Sequence, residues 1–405
     1  MKTPSPSWLV PVITIFMLQT LSAFLSRLIP VVAPAMANEF GWAGSSIGYL
    51  SASNSLGGAL ILFTGSTFLR RVGGTRALQV ALLCGAVSMG MFFHPAVAMA
   101  VAACFIMGTS NGAANPAGSE VLQRFSPPGM RNLLFSVKQA GVPVGGMAAG
   151  LLLPFLIALS SWRIALLICA IIVLIPTLWS WRLSRLLDGP PKPRETEPAP
   201  SFRETLSRFR LPLASLRHSS ELFRTSIVGS IFAIPQSCWF TFTAVYLVDR
   251  LGYSLSLAGL VFAIMQLGGI LGRIGLGWLS DHLRSARTIL SVTAVFSAAT
   301  TALLGATNPS WPLWVVILIA FVAGCTAASW NGVQLAEVAR HSPPQMITET
   351  AAGASLMVNL VNVVAPTLFA LAVTALGRYD IAYYVAGACA LLVPFVLPQE
   401  RALED

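Results

Sequence analysis

The sequence predicts an all-α polytopic membrane protein with 12 transmembrane helices in two six-helix bundles related by pseudo-two-fold symmetry. Of its 405 residues 55% are apolar and only 10% are charged, and the mean hydropathy is +0.75. A soluble protein of this size needs more polar side chains to cover its surface. Apolar runs of membrane length recur along the chain, and part of the first half is repeated in the second.

The apolar runs define the predicted spans and domains. A transmembrane helix needs about 20 mostly apolar residues. Such segments are expected at 8–36, 45–69, 76–94, 96–122, 133–159, 162–181, 222–247, 255–279, 288–307, 311–335, 347–376 and 380–398. The intervening stretch is rich in charge and proline and cannot span a bilayer. We therefore expect an N-terminal bundle over 1–181, a cytoplasmic linker over 182–221 and a C-terminal bundle over 222–405.

The net charge of +10 indicates orientation and gives no reason to expect nucleic-acid binding. If the N-terminus is cytoplasmic, most of the 25 Lys and Arg residues lie on that side, whereas Arg163, Arg250 and Arg378 lie outside. The predicted location is a bacterial-type inner (plasma) membrane that the chain crosses many times, with both termini cytoplasmic.

An internal repeat supports the two-bundle prediction. The segment 105–130 reads FIMGTSNGAANPAGSEVLQRFSPPGM, and 321–346 reads FVAGCTAASWNGVQLAEVARHSPPQM. Their shared residues lie at a constant offset of 216. A duplicated six-helix unit predicts a solute site where the two halves face each other near the membrane midplane.

The loop after the eighth span carries a family resemblance. Residues 272–287 read GRIGLGWLSDHLRSAR, which resembles the signature loop of the major facilitator superfamily. The resemblance implies that family's fold and secondary transport by alternating access. It also implies a breakable ionic latch, formed by Asp281 with Arg273, Arg284 and Arg287.

The equivalent loop of the first half, GSTFLRRVGGTR at 65–76, contains Arg70 and Arg76 but no Asp. Glu120 and Glu337, at the ends of the fourth and tenth spans, are alternative partners for these arginines. The other interpretation is that all these charges only fix topology.

A weaker resemblance lies in the first span, where Arg27 is followed by APAM at 33–36 and EFGW at 39–42. This pattern is similar to the organic-anion symporters of the same superfamily, in which an Arg at the position of Arg27 holds the anionic group. Ser26 and Asn111 stand where those symporters often have acidic residues. The coupling ion is therefore open, with a proton as one candidate.

Arg27 and Lys138 are the predicted solute-binding cations. An intramembrane cation costs about 2.5–3.5 kcal/mol and is a functional hypothesis by default. For Lys138 the alternative is snorkelling to the interface, and Arg27 is central only if its helix continues through Pro30 and Pro34. No acidic residue lies in the middle of a predicted span. Two cavity cations would favour a small organic anion such as a carboxylate.

Neutral polar or aromatic residues interrupt the apolar helices and are predicted to line the solute site. For each of them a helix–helix hydrogen bond is the alternative interpretation. They are Asn54, Asn111, Asn115, Gln139, Gln236, Trp239, Gln266, Asn331 and Asn359.

Other classes fit less well. The chain has no intramembrane metal-ligand spacing or nucleophile set and no phosphate-binding Gly-rich Lys motif, so we expect neither an enzyme nor a metal or other cofactor. The six cysteines lie within apolar runs. The alternatives are a drug or metabolite exporter and a non-transporting membrane sensor. Solute, direction and mode of coupling (symport, antiport or uniport) stay open, and a monomer in the lipid bilayer is expected.

Overall fold

The structure is a computed structural model that describes residues 8–127, 131–188, 213–283, 285–343 and 346–398. Within these ranges, side chains are not described at 44, 62–71, 123, 131–133, 135–136, 281 and 347–349.

The described part of the chain is helical almost throughout. The helices up to the linker are α1 (Leu9–Phe40), α2 (Ile47–Val72), α3 (Gly74–Ser88), α4 (Val97–Phe125), α5 (Arg131–Leu159), α6 (Trp162–Trp179) and the short α7 (Ser184–Asp188). Those after it are α8 (Ser220–Asp249), α9 (Leu255–Leu283), α10 (Ala286–Ala306), α11 (Leu313–Thr326), α12 (Asn331–Arg340), α13 (Ile347–Leu376), α14 (Tyr379–Ala390) and α15 (Val393–Val396). Turns of 3-10 helix occupy Gly44–Ser46, Met89–Phe93, Ser180–Leu183 and Leu216–His218.

These helices have the dimensions of membrane spans. Among the described residues, 11 helical segments are long and apolar enough to cross a bilayer, and each matches one predicted span. The other predicted span, 45–69, coincides with the 26-residue helix α2. The predicted fold class is therefore confirmed: an all-α polytopic protein whose chain runs through six membrane-length segments before the linker and six after it.

Contacts divide the chain into two compact units. The first comprises Met1–Phe40 and Ser53–Pro198, and the second comprises Gly41–Ala52 and Ala199–Asp405. The bundle limits derived from the sequence stay a prediction.

In the second unit, residues Gly41–Ala52 are held by small polar side chains. The Thr374 hydroxyl donates to Ser45 Oγ at 2.8 Å, and the hydroxyls of Ser51 and Thr241 are 2.7 Å apart. Part of the core of the same unit lies between α8, α10 and α12, where Trp330 is fully buried and stacks on Phe232 with 5.3 Å between ring centroids.

Glycines let α2 and α4 touch through their backbones. A Cβ on Gly108 would lie 1.9 Å from the Asn54 carbonyl oxygen, and one on Gly57 would lie 2.0 Å from that of Phe105. Asn54 Nδ2 also donates to the Cys104 carbonyl at 3.2 Å. Such close contacts are how helices associate where hydrophobic burial gives no advantage.

An ion pair connects the end of α1 to the start of α6. Glu39 accepts a hydrogen bond from Arg163 Nη1 at 2.9 Å and one from the Trp162 indole N–H. The Arg163 guanidinium also lies 4.4 Å from the centre of the Trp162 ring. This exposed pair thus connects the ends of two helices through opposite charges and a cation–π contact.

The tenth span differs from its prediction. Instead of one helix over 311–335, it is broken between α11 and α12 at residues 327–330. The Ala328 N–H donates to the carbonyl of Ala323, five residues back, at 3.2 Å. Ser329 Oγ donates at 2.7 Å to the Gly324 carbonyl that this shift releases. Arg273 Nη2 donates to the Ala328 carbonyl at 3.4 Å, so side chains satisfy a backbone that lipid could not.

Gly108→Ala should lower the free energy of unfolding by about 1–3 kcal/mol, because its methyl group would force α2 away from α4. The measurement is thermal unfolding of the purified protein. The matched control is Gly275→Ala on α9, where a Cβ would meet nothing within 4 Å and the better helix propensity of Ala should leave stability unchanged or higher. Equal melting temperatures for Gly108→Ala and wild type would contradict the close contact.

Candidate functional site

Lys138 lies inside the first unit. It is the eighth residue of α5, about 10 Å from the start of the helix at 1.5 Å per residue, and only 2% of its surface is exposed. Its Nζ donates to the backbone oxygen and to Oδ1 of Asn115, each at 3.2 Å, and lies 3.5 Å from Ser119 Oγ. The three donors of the ammonium thus face three acceptors on α4, and the side chain does not snorkel to the surface.

Gly118 provides the space for this lysine. A Cβ on Gly118 would lie 2.8 Å from Lys138 Cε and 2.8 Å from Ile15 Cγ2 of α1. The lysine stem therefore fills the seam between α1, α4 and α5. Any larger residue at position 118 would have to displace it.

The second unit closes the corresponding seam with a neutral side chain. At the repeat offset of 216, Gln334 corresponds to Gly118 and Ala354 corresponds to Lys138. Gln334 is 3% exposed, and its Nε2 donates to the Thr225 carbonyl of α8 at 3.1 Å. The large residue is thus on the fifth helix of one unit and on the fourth span of the other. Filling this seam does not require a charge.

The ammonium of Lys138 lies beside a polar face of α4. Asn111, Asn115 and Ser119 are four residues apart and so share one side of the helix, and the two amides are exposed. Gln139, next to Lys138 on α5, is also exposed. Ser119 was not among the predicted site residues, although its helical spacing from Asn115 was visible in the sequence.

Arg27 lies near the middle of its helix. The structure has α1 continuing through Pro30 and Pro34 to Phe40, which settles how far the first helix extends. The Arg27 side chain is partly buried and has an interaction partner. Its helix contacts both α4 and α5, the two helices that hold Lys138.

In the second unit, two predicted lining residues are hydrogen-bonded to each other and a third is buried in the packing. Gln236 Nε2 donates to Asn331 Oδ1 at 3.3 Å, which joins two predicted residues from α8 and α12. Trp239 is 1% exposed and donates to Thr301 at 3.0 Å, so it is a buried packing residue in this structure.

The remaining lining predictions have separate locations. Gln266 is 2% exposed on α9, and Asn359 Nδ2 donates to the Ser355 carbonyl of its own helix at 3.0 Å. Asn54 bonds the backbone of α4 as described above.

The predicted gating carboxylates form local ion pairs. Glu120 lies 3.3 Å from Arg124, one turn along α4. Glu337 lies 3.5 Å from Arg340 on α12 and 3.9 Å from His341. Partly exposed pairs of this kind contribute only about 0–1 kcal/mol.

The predicted gating arginines have backbone partners. Arg287 Nη1 donates to the carbonyl of Pro398 at 2.7 Å, and Arg273 donates to Ala328 as described. The latch of Asp281 with Arg284 falls outside the described side chains, as does the side chain of Arg70. Arg76 differs, because its guanidinium Nη2 donates to Ser184 Oγ at 3.5 Å while its backbone N–H donates to Asp188, a residue that was not predicted.

No group of three or more metal-binding side chains occurs among the described residues. All six cysteines are free thiols.

Lys138→Met should melt at or above the wild-type temperature. The substitution removes a buried charge and replaces it with a flexible apolar chain of similar length. Lys138→Ala should melt lower because it leaves a cavity. Thermal unfolding of both variants beside wild type checks this; if Lys138→Met is as unstable as Lys138→Ala, the hydrogen bonds of the ammonium hold the fold.

The proteins that this chain resembles in sequence are transporters. The chain is 25% identical to an uncharacterized MFS-type transporter of Mycobacterium tuberculosis, over 96% of this chain and 84% of the relative. It is 23% identical to a hexuronate transporter of Bacillus subtilis, over 96% and 95%. A 4-hydroxybenzoate transporter of Pseudomonas aeruginosa is 24% identical over 64% of this chain and 63% of that protein.

Solved structures share the fold. A mutant of the nucleoside transporter NupG superposes with a TM-score of 0.76 at 13% identity, covering 96% of this chain and 98% of that one. A bacterial homolog of the human lysosomal transporter Spinster, inward-facing and unoccupied, gives 0.68 at 16% identity, covering 98% and 95%.

The family profile described as Major Facilitator Superfamily matches residues 15–366, most of the chain. With eleven apolar helices of membrane length among the described residues and transporters among its relatives, this chain belongs to the major facilitator superfamily and is a multi-pass membrane transporter of a small solute.

Proposed function

We propose that this transporter carries a small organic anion with a carboxylate group and works by alternating access. The observation that carries the proposal is the buried ammonium of Lys138, whose three acceptors in the described structure are all neutral. A cation kept in a membrane interior without a carboxylate partner has an unneutralised charge that can bind a solute anion.

The repeat supports a functional role for this charge. In the second unit a neutral glutamine closes the corresponding seam through one hydrogen bond. Since packing alone can be achieved without a charge, the desolvation cost of Lys138 must serve another purpose. Binding of an anion at the polar face of α4 is the purpose that the surrounding groups support.

Polar groups around Lys138 offer the solute an aqueous route. Exposed amides on a membrane-spanning helix are unfavourable against lipid and favourable against water. Asn111, Asn115 and Gln139 are such amides. Arg27 lies twelve residues beyond Ile15, which borders Lys138, and so about 18 Å further along α1. It is a second proposed cation on the same route.

The solute class also agrees with the names of two relatives. Hexuronate and 4-hydroxybenzoate are both small hydroxylated molecules that carry a carboxylate. We infer the same charged group for the solute here. Its energy source would be an ion gradient or a counter-substrate.

The orientation proposal rests on charge. The excess of Lys and Arg in alternate loops supports cytoplasmic termini, and the membrane we propose is a bacterial inner membrane. We propose that a single chain forms the pathway.

The test is ligand-induced thermal stabilisation of the purified protein. 4-Hydroxybenzoate and a hexuronate should raise the melting temperature, because a ligand at 100 times its Kd stabilises the folded state by about 2.7 kcal/mol. Their neutral matches, 4-hydroxybenzamide and the uncharged sugar, should not. Lys138→Met and Arg27→Met should lose the response, whereas Arg185→Met, which removes an exposed arginine, should retain it.

Uptake of the stabilising acid into proteoliposomes then separates binding from transport. Lys138→Met should fold and yet take up at most a small fraction of the wild-type amount. Stabilisation by lipophilic cations alone would overturn the anion proposal and support an exporter. An acid that stabilises wild type and Lys138→Met equally would retain the solute class and remove Lys138 from the site.

A further inference from the structure

Helix α3 begins without a cap from its own loop. The residue before it, Gly73, has φ +96° and makes no side-chain hydrogen bond to the first turn. Helix α10 begins in the ordinary way, with the Ser285 hydroxyl accepting the N–H of Thr288 at 3.1 Å. The first N–H groups of a helix have no intrahelical partner, so α3 needs another acceptor.

Asp188 is that acceptor, although it lies more than 100 residues away in sequence. Its Oδ1 accepts the N–H of Thr75 at 2.8 Å, and its Oδ2 accepts the N–H of Arg76 at 3.0 Å. Both carboxylate oxygens are used, and the negative charge lies at the positive end of the helix dipole.

Gly73 leaves room for this carboxylate because it has no side chain. A Cβ at this position would lie 2.3 Å from Asp188 Oδ2, and the positive φ is one that other residues rarely adopt. The glycine therefore meets two requirements at once. One is the turn between α2 and α3, and the other is the space for Asp188.

Further bonds attach the same segment to its neighbours. Gln79 Nε2 donates to Ser180 Oγ at 2.9 Å, and Arg124 Nη1 donates to the Leu187 carbonyl at 2.8 Å. The Arg76 guanidinium lies 5.8 Å from the centre of the Trp181 ring. The end of the sixth span is thus fixed to both α3 and α4.

We propose that Asp188 is a remote latch that replaces the acidic residue missing from the first-half loop. Its carboxylate fastens the start of α3 to the end of α7, the short helix that follows the sixth span. The turn at Gly73, α3 and α7 consequently move as one body during transport. Asp188 is a positioning residue and does not touch the solute.

A double-mutant cycle in the full-length protein tests the latch. Gly73→Ser in the wild-type background should lower the melting temperature sharply, because its Cβ expels the carboxylate. In the Asp188→Ala background the clash with the carboxylate is gone, while the backbone strain and the 2.8 Å approach to the Cβ of residue 188 remain. The same substitution should therefore cost clearly less than in wild type. Asp188→Asn is the second variant, since it retains one acceptor oxygen.

The matched control is Gly252→Ser. Gly252 has φ +67°, and a Cβ there would meet nothing within 4 Å. Its loss should be the same in the wild-type and Asp188→Ala backgrounds. If Gly73→Ser is equally additive, the latch does not exist.

Hydrogen exchange supplies a local readout. In Asp188→Ala, the amides of Thr75 and Arg76 should exchange about fivefold faster, as expected for a lost cap, while those at the start of α10 stay unchanged. Unchanged exchange at α3 would overturn the proposal. Neither measurement needs a solute, so the latch is tested even if the solute class proves wrong.

Transport shows whether the latch acts in the cycle. At a temperature well below unfolding, Asp188→Ala should slow uptake of the acid identified above, because the latch bonds to Thr75 and Arg76 are lost. Gly73→Ser should slow uptake by a similar factor, with little further slowing in the double variant. Wild-type uptake by Asp188→Ala would limit Asp188 to stability.

Discussion

Most features of this structure follow from one constraint, namely that the bilayer offers no hydrogen-bond partner. Every polar group within a span must find its partner in the protein or in a water-filled cavity. The broken tenth span satisfies this through the Ser329 hydroxyl and the Arg273 guanidinium, which take up carbonyls that the break leaves open. Lys138 satisfies it with neutral acceptors on α4. The same constraint makes an exposed amide such as Asn111 a marker of water.

The two halves share an architecture but have diverged at the places where polar groups meet. The seam beside the fourth span holds Lys138 in one unit and Gln334 in the other. Lys138 packs against Gly118, and Gln334 packs against Gly229 of α8. The start of the third helix in each half shows the same divergence, with a local serine in one and the distant Asp188 in the other. At these positions the two halves fill a similar volume with different polar groups.

Hydropathy and the repeat are sufficient to predict the spans and the fold, because membrane length and apolarity are properties of contiguous sequence. The break at 327–330 could not be predicted, since Ala327 and Ala328 favour helix and no proline marks it. Lys138 was recognisable as a buried cation, yet only the structure distinguishes burial among neutral acceptors from snorkelling. Asp188 was missed because its partners lie more than 100 residues away.

Stability and function make opposite demands on the buried Lys138. If the seam needs only volume, then selection for stability alone would favour a neutral residue at position 138, as the second unit has. Retaining the ammonium lowers stability and preserves a charge that bulk water does not screen. An anion bound beside Asn115 would offset that cost, so part of its binding energy would come from pairing with the buried ammonium. The site would then bind carboxylates more strongly than their neutral isosteres, because only the charged form relieves the buried cation.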